Sequence, residues 1–274
     1  MRILITGATG SVGRNVVEQL IALDPAVELR ALTRNLAADL PEGVEIAVGD
    51  LAEPQTLAEA FTGVDAVHFI NFAGDQYAPL PEADAVVALA EAAGVRRATV
   101  LGGRDEGALE QALVKSPIET TFLHPVEFMS NALMWWAETI KSGQPIREPF
   151  GDRLSAMVHP ADIGAVAAKV LLDGGYDGQE LVITGPEVVS IPDRFRALSA
   201  AVGREIEFVE LTVEEAHENW AANGMGEDMI AFLTEALGNT PEEGKTVSGT
   251  VEAVTGRPAR TFEQWAVEHA DAFR

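Results

Sequence analysis

LITGATGSVGR, residues 4–14, places three glycines directly after a run of aliphatic and β-branched residues. Gly7, Gly10 and Gly13 are spaced G-x-x-G-x-x-G, and the segment SVGRNVVEQLIAL that includes the third has the apolar spacing of a helix. A strand, a glycine-rich turn and a helix in this order are typical of a dinucleotide-binding unit. Its turn brings backbone N–H groups and the helix N-terminus to a pyrophosphate. The alternative is a merely tight turn between a strand and a helix.

Beyond this loop, short aliphatic runs alternate with helical segments through the first two-thirds of the chain. The runs predicted to be strands are RILIT, VELRALT, VEIAVGD, AVHFIN, RATVLG, IETTFLH and ELVITG. They show little polar–apolar alternation, which is typical of parallel strands buried on both faces. We therefore predict an α/β fold: a doubly wound, mostly parallel Rossmann sheet with a smaller, mainly helical C-terminal substrate part.

The predicted domain boundaries follow from a change of texture late in the chain. Residues 1–150 form the expected nucleotide-binding domain, to which 160–185 return, and residues 186–274 form the smaller substrate-binding part. A helix is predicted to start near Pro125 and to run through EFMSNALMWWAETIK.

Composition narrows the choice of partners and compartment. The 274 residues include no cysteine and carry a formal net charge of −24. Such a charge repels nucleic-acid phosphates and anionic lipids, so we expect neither a nucleic acid nor a membrane as partner. The start, MRILITGATG, lacks the apolar core of a signal peptide, and the absence of cysteine fits a reducing compartment, so we expect a cytoplasmic protein. No ligand spacing indicates a metal site.

The end of the second predicted strand bears on the choice of cofactor. NAD-binding proteins usually place an acidic residue there to hold ribose hydroxyls, whereas this chain has LTRN, with Arg34. A guanidinium at this place can bind a 2′-phosphate, and Arg14 can assist. This favours NADPH over NADH, with a solvated charge as the alternative for either arginine. Thr6 and Ser11 add hydroxyl donors to the loop, and Ser11 is the expected N-cap of the helix.

Several stretches together resemble one branch of the extended and atypical short-chain dehydrogenase/reductases. GDLAEPQTLAEAFTGVDAVHFI resembles the third-strand Gly-Asp and the following strand of that branch, and FLHPVEFMSNAL resembles its Arg-Pro-x-x-Phe-Met-x-Asn segment. MVHPADIGAVAAKVL, ITGPEVVSIPDRFRALSAAVGREIEFVEL and TGRPARTFEQW resemble its later segments. Over nearly its whole length the chain is similar to the NmrA-like family of atypical short-chain dehydrogenase/reductases.

The resemblance implies cofactor contacts at defined positions of this chain. Gly7, Gly10 and Gly13 are implied at the pyrophosphate, and they join Thr6, Ser11, Val12 and Arg14 of the same loop as cofactor contacts. Arg34 is implied at the 2′-phosphate, and Asp50 and Leu51 at the adenine. Asn71 and Phe72 are implied along the ribose and nicotinamide, and Pro125, Val126 and Phe128 beside the nicotinamide. For Phe128, ordinary core packing is the alternative.

The usual catalytic pair of short-chain reductases, Tyr-x-x-x-Lys, is absent from the sequence. Neither Tyr77 nor Tyr176 has a lysine four residues further on, and the acidic residues Glu106 and Glu110 lie near the positions of the pair. The chain therefore departs from the family at the group that usually protonates the carbonyl oxygen.

Two histidines are the candidate proton donors, because imidazole titrates near neutral pH. His124 follows a strand that should end at the cofactor edge of the sheet, and His159 lies before a predicted helix. A structural, hydrogen-bonded role is the alternative for each. A third possibility is that no side chain is needed, since a quinone or activated aromatic ketone can take its proton from water.

Bulky apolar residues bear on the kind of substrate. They are Trp135, Trp136, Trp220, Met225, Met229 and Phe232, for which core packing is the alternative. If some of them line the site, the substrate is large, flat and apolar. We expect an NADPH-dependent oxidoreductase that reduces a ketone or quinone. An aromatic polyketide ketoreductase is one possible form of this enzyme. The alternative is a non-catalytic NADP(H)-sensing regulator that acts through a protein partner.

Overall fold

The computed structural model of the protein describes residues 1–74, 78–103 and 107–274. The strands are β1 (Arg2–Thr6), β2 (Glu28–Thr33), β3 (Glu45–Val48), β4 (Ala66–Phe69), β5 (Phe72–Ala73), β6 (Ala78–Pro79), β7 (Arg97–Leu101), β8 (Glu119–Pro125), β9 (Ile146–Glu148), β10 (Leu154–Ser155), β11 (Glu180–Ile183), β12 (Val189–Ser190) and β13 (Phe208–Glu210). The α-helices are α1 (Ser11–Leu23), α2 (Ala58–Phe61), α3 (Ala83–Ala92), α4 (Ala108–Lys115), α5 (Asn131–Ser142), α6 (Pro160–Asp173), α7 (Ile191–Val202), α8 (Val213–Ala222), α9 (Glu227–Gly238), α10 (Thr250–Thr255) and α11 (Phe262–Glu268). Within these described ranges, no helix has the length and apolar character needed to cross a bilayer. Tyr77 and Glu106 lie outside the described residues.

Seven strands form one parallel sheet in the order β11-β8-β7-β4-β1-β2-β3. The chain runs outward from β1 to β3 and then returns to β4 on the other side of β1. In such sheets the loops diverge at this switch point and leave a crevice at the carboxyl ends of the strands. The predicted doubly wound parallel fold is confirmed.

Helices cover both faces of the sheet because its strands are apolar on both. Ile3, Leu4 and Ile5 of β1 are all fully buried. Helices α1 and α6 pack together on one face, while α3 and α4 contribute to the apolar cluster on the other. Gly164 permits the close approach of α6 to α1, because a Cβ there would lie 2.7 Å from the carbonyl carbon of Asn15.

The chain divides into two compact units. The first consists of Met1–Pro125, Pro160–Ile183 and Thr250–Arg257, and the second of Val126–His159, Thr184–Gly249 and Pro258–Arg274. The second unit therefore includes residues 126–150, which the sequence analysis assigned to the first domain. Its small sheets are the parallel pair β9 and β13 and the antiparallel pair β10 and β12, and the rest of its regular structure is helical.

The segment before α5 differs from the sequence prediction. The helix begins at Asn131 and not near Pro125, which is the last residue of β8. Between them Phe128 forms a bridge with Val158 and residues 129–130 form a turn. In the bridge, the N–H of Val158 donates to the carbonyl of Glu127 (2.9 Å) and the N–H of Met129 donates to the carbonyl of Val158 (3.0 Å). Pairing with a distant segment thus overrides the local helical pattern.

Aromatic side chains build the core of the second unit. Trp136 is buried, with its ring centroid 4.7 Å from that of Phe195, and Trp265 stacks on Phe262 at 5.4 Å. Core packing therefore accounts for Trp136. On α9, by contrast, Phe232 remains 63% exposed.

Candidate functional site

The glycine loop between β1 and α1 is closed by its own backbone. The N–H of Gly10 donates to the carbonyl of Gly7 at 2.9 Å. Gly7 has a φ of +62°, which side chains disfavour, and a Cβ there would lie 2.7 Å from Cγ2 of Ile70. A Cβ on Gly13 would lie 2.7 Å from the carbonyl carbon of Gly7. Glycine is therefore required at positions 7 and 13 for α1 to start against the loop.

The N-cap of α1 is Gly10, which corrects the expectation for Ser11. Ser11 is the exposed first residue of the helix, and no side chain caps the helix within the described structure. The first turn of α1 contains no acidic residue. Backbone N–H groups at such an end favour an anion, both as donors and through the helix dipole.

Thr6 supports the loop from below and does not face it. Its side chain is fully buried, and its hydroxyl donates to the carbonyl of His68 (3.0 Å) and accepts from the N–H of Ile70 (2.8 Å). Because the single hydroxyl proton is engaged with β4, the expectation that Thr6 donates to a cofactor is wrong. Val12 is likewise buried, so its side chain belongs to the core.

The two candidate phosphate-binding arginines lie at the end of β2 and on α1. Arg34 directly follows β2 and is exposed. Arg14 donates through Nη2 to the carbonyl of Asp39 at 2.6 Å and also lies 3.5 Å from its Oδ2. Arg14 thus connects α1 to the segment that follows β2.

The residues implied for the adenine follow β3. Asp50 is half-buried, and its Oδ1 accepts from the N–H of Ala52 at 2.9 Å. Leu51 is buried in an apolar cluster with Leu57 and Phe61. The turn is therefore held by its own carboxylate, with Leu51 anchored beneath it.

Asn71 follows β4 at the switch point and contacts α4. Its Nδ2 donates to Oε1 of Glu110 at 2.7 Å. Glu110 lies in the first turn of α4 and is fully buried, whereas Asn71 is half-buried. Phe72 is also half-buried and pairs with Pro79 in the short β5–β6 hairpin.

The end of β8 carries the residues implied beside the nicotinamide. Pro125, Val126 and Phe128 are half-buried, and the backbone of Phe128 forms a β-bridge with Val158. The side chain of His124 is 33% exposed, and its Nδ1 lies 3.4 Å from Oε1 of Glu180 on β11. His124 is therefore accessible, with a carboxylate positioned to orient the ring.

His159 occupies a different environment, in the second unit. It is buried, its Nε2 lies 3.1 Å from Oε2 of Glu268, and its ring centroid lies 6.3 Å from that of His269. A buried ring held by a carboxylate of the C-terminal helix favours the structural alternative for His159.

Sequence reasoning missed a group of buried charges in the second unit. Arg194 pairs with Glu127, which precedes Phe128, although 67 residues separate them. Nearby, burial raises the pKa of Glu148, while a hydrogen bond from Nε1 of Trp136 at 2.6 Å acts in the opposite direction. No motif marks these partners, because each is a single charged residue in an otherwise helical or extended pattern.

With this geometry in place, comparison with known proteins decides the family. Residues 7–173, which span the glycine loop through α6, match the model of a family described as NAD(P)H-binding. The chain belongs to this NAD(P)H-binding family. The resemblance to NmrA-like atypical short-chain dehydrogenase/reductases is confirmed.

Relatives that match this NAD(P)H-binding chain over nearly its full length include reductases. A (4-alkanoyl-5-oxo-2,5-dihydrofuran-3-yl)methyl phosphate reductase of Streptomyces griseus is 35% identical over 284 residues, covering 99% of each chain. An NAD(P)H azoreductase of Xenophilus azovorans is 34% identical over 288 residues, again covering 99% of each. The fold matches that of an NADPH-dependent quinone oxidoreductase from Escherichia coli complexed with NADPH, with a TM-score of 0.78, 24% identity, and coverage of 97% of this chain and 99% of that one.

The loop of this family member fits the pyrophosphate of a nicotinamide cofactor. Glycine at positions 7 and 13 lets the backbone turn tightly into α1, because a Cβ at these positions would overlap Ile70 and the Gly7 carbonyl. The fit rests on backbone donors, a helix N-terminus and the absence of acidic residues from the first turn of α1.

Proposed function

We propose that the protein is an NADPH-dependent oxidoreductase that reduces a ketone or quinone without a Tyr-x-x-x-Lys pair. The observation that carries the proposal is the glycine loop between β1 and α1, which lies beside the switch point of a parallel sheet. The names of the two full-length relatives, both reductases, support a reductive role over a purely regulatory one.

In this proposal, the chain's own residues bind the cofactor and donate the proton. When bound, NADPH supplies the hydride. The backbone at the start of α1 holds the pyrophosphate, and the guanidinium of Arg34 holds the 2′-phosphate. His124, accessible at the end of β8, is the group that gives a proton to the oxygen of a simple ketone.

The missing catalytic pair favours acceptors that need little acid assistance. In a quinone, hydride addition leaves a phenolate whose negative charge is delocalised over the ring, so water can supply the proton. An aromatic ketone leaves a localised alkoxide, to which His124 gives the proton. The dihydrofuranone and azo names of the relatives support this class, because both name conjugated acceptors. The substrate proposed here is large, flat and apolar.

The test is NADPH oxidation, followed by its absorbance, against a panel of quinones and polycyclic aromatic ketones. Wild type should turn over at least one of them. Gly13→Val should abolish turnover, because its side chain would overlap the Gly7 carbonyl, whereas Gly226→Ala should not, since Gly226 has a negative φ and open space around it. Tight NADPH binding with no turnover by wild type would contradict the reductase and favour the NADP(H)-sensing regulator.

A further inference from the structure

The pair of Asn71 and Glu110 places a buried carboxylate behind a half-buried amide at the carboxyl end of β4. Nδ2 of Asn71 lies 2.7 Å from Oε1 of Glu110. Oε2 of Glu110 is buried and has no hydrogen-bond partner among the residues that the structure describes. It lies against the backbone of Gly107, the N-cap of α4, where any added Cβ would overlap it.

The dipole of α4 favours a carboxylate in its first turn, but it does not require that carboxylate to be buried against Asn71. Burying a carboxylate with a single hydrogen bond is unfavourable, because the group loses several donors that water would provide. An apolar residue at the first turn of α4 would avoid that cost. Glu110 therefore has a role that depends on its oxygen atoms.

The carboxylate fixes the orientation of the Asn71 amide. Nδ2 of Asn71 donates to Oε1 of Glu110, so the edge of Asn71 that faces Glu110 is the NH₂ group. Because the amide is planar, its Oδ1 is then directed away from Glu110. Glu110 itself is fully buried and cannot touch a ligand in this conformation.

An outward Oδ1 is an acceptor, so it serves a hydrogen-bond donor of the cofactor. The adenosine half carries donors on its adenine and ribose, but the residues implied for that half, Arg34 and Asp50, follow β2 and β3 on one side of β1. Asn71 follows β4 on the other side of β1. The nicotinamide half offers donors, namely the ribose hydroxyls and the carboxamide NH₂. We propose that Glu110 is a positioning residue that holds Asn71 with Oδ1 outward, as an acceptor for a donor of the nicotinamide half. This inference rests on the cofactor binding of the proposed function.

The test compares two ligands by isothermal titration calorimetry: NADPH, and 2′,5′-ADP, which lacks the nicotinamide half. Glu110→Leu and Asn71→Ala should each weaken NADPH binding about tenfold, the equivalent of one hydrogen bond, and leave 2′,5′-ADP binding unchanged. Glu110→Gln should stay near wild type, because its carbonyl oxygen can still accept from Nδ2. The double variant Glu110→Leu/Asn71→Ala should bind NADPH no more weakly than Asn71→Ala, since Glu110 acts through Asn71.

Several outcomes would overturn the inference. Unchanged NADPH binding by Asn71→Ala would do so even if Glu110→Leu fails to fold. Equal weakening of both ligands, or additive losses in the double variant, would assign Glu110 a general structural role. If wild type binds NADPH without turnover, the proposed reductase activity is wrong, but the binding test of Glu110 and Asn71 still applies. A wild type that binds neither ligand would overturn both proposals.

Discussion

Arg194 and Glu127 form a bidentate ion pair inside the second unit. Nη1 of Arg194 lies 2.8 Å from Oε1 of Glu127, and Nη2 lies 3.1 Å from Oε2. Arg194 is fully buried, and Nη2 of Arg153 approaches the same carboxylate at 3.4 Å. Because Glu127 precedes Phe128, the pair holds in place the segment that the family resemblance places beside the nicotinamide.

Removing the arginine of this pair should strongly destabilise the fold. Arg194→Met leaves a mostly buried carboxylate without its main partner, so we expect a loss of about 3–5 kcal/mol in the free energy of unfolding in urea. The matched control is Arg196→Met on the same helix, where the exposed pair with Asp193 should contribute less than about 1 kcal/mol. Similar small losses in the two variants would contradict the assignment.

His68 should make the stability depend on pH. Burial lowers its pKa to about 4 from an ordinary value of 6.5. Between these values the unfolded chain binds a proton that the folded chain does not. The free energy of unfolding therefore includes the full stabilising contribution of neutral His68 above pH 6.5. This contribution is lost as the pH falls toward 4, and the loss is up to about 3 kcal/mol.

The measurement is the free energy of unfolding between pH 7 and 4 in wild type and His68→Asn. The variant should decline less steeply, because its side chain does not titrate. Thr99→Val keeps the imidazole and removes only its 2.8 Å partner, so it should retain the wild-type slope. Parallel curves for wild type and His68→Asn would refute this account.

Arg34 should determine the preference between the two nicotinamide cofactors. We expect Arg34→Ala to raise the Kd for NADPH by roughly 10- to 100-fold, as for the loss of a hydrogen bond to a charged group, and to leave the Kd for NADH unchanged. Arg96→Ala removes the same charge from the amino end of β7 and should affect neither. An equal change for both cofactors on Arg34→Ala would argue against a 2′-phosphate contact.

His124 should matter for ketones and not for quinones. His124→Gln should lower kcat for an aromatic ketone by about 100-fold, the usual contribution of a positioned acid, while quinone turnover stays near wild type. His159→Gln should lower stability without this substrate-dependent effect, because His159 is buried against Glu268. A loss of the same size on both substrates for His124→Gln would remove its role as proton donor.

The sequence predicted what local patterns control. The spacing of Gly7, Gly10 and Gly13 and the continuous aliphatic strands were sufficient for the loop and the parallel sheet. The predicted start of α5 near Pro125 was wrong, because pairing between the segments around Glu127 and Val158 overrides the helical pattern. The partners of Thr6 depend on the register of β1 against β4, which no local pattern states.

The candidate site was less predictable for the same reason. Glu110 was visible as an acidic residue near the expected catalytic pair, but its contact with Asn71 joins the ends of two strand–helix connections. Arg194 and Glu127 give no sequence signal at all. Single polar residues acquire their roles only when distant elements meet.

The central claim is hydride transfer from NADPH bound at the glycine loop. The most direct measurement is the rate of NADPH consumption with cofactor deuterated at one or the other C4 position, using an acceptor from the quinone and aromatic ketone panel. The account predicts turnover that is slowed by one of the two labels and not by the other, because a fixed cofactor presents one face. Absence of turnover with every acceptor, despite tight NADPH binding, would contradict it.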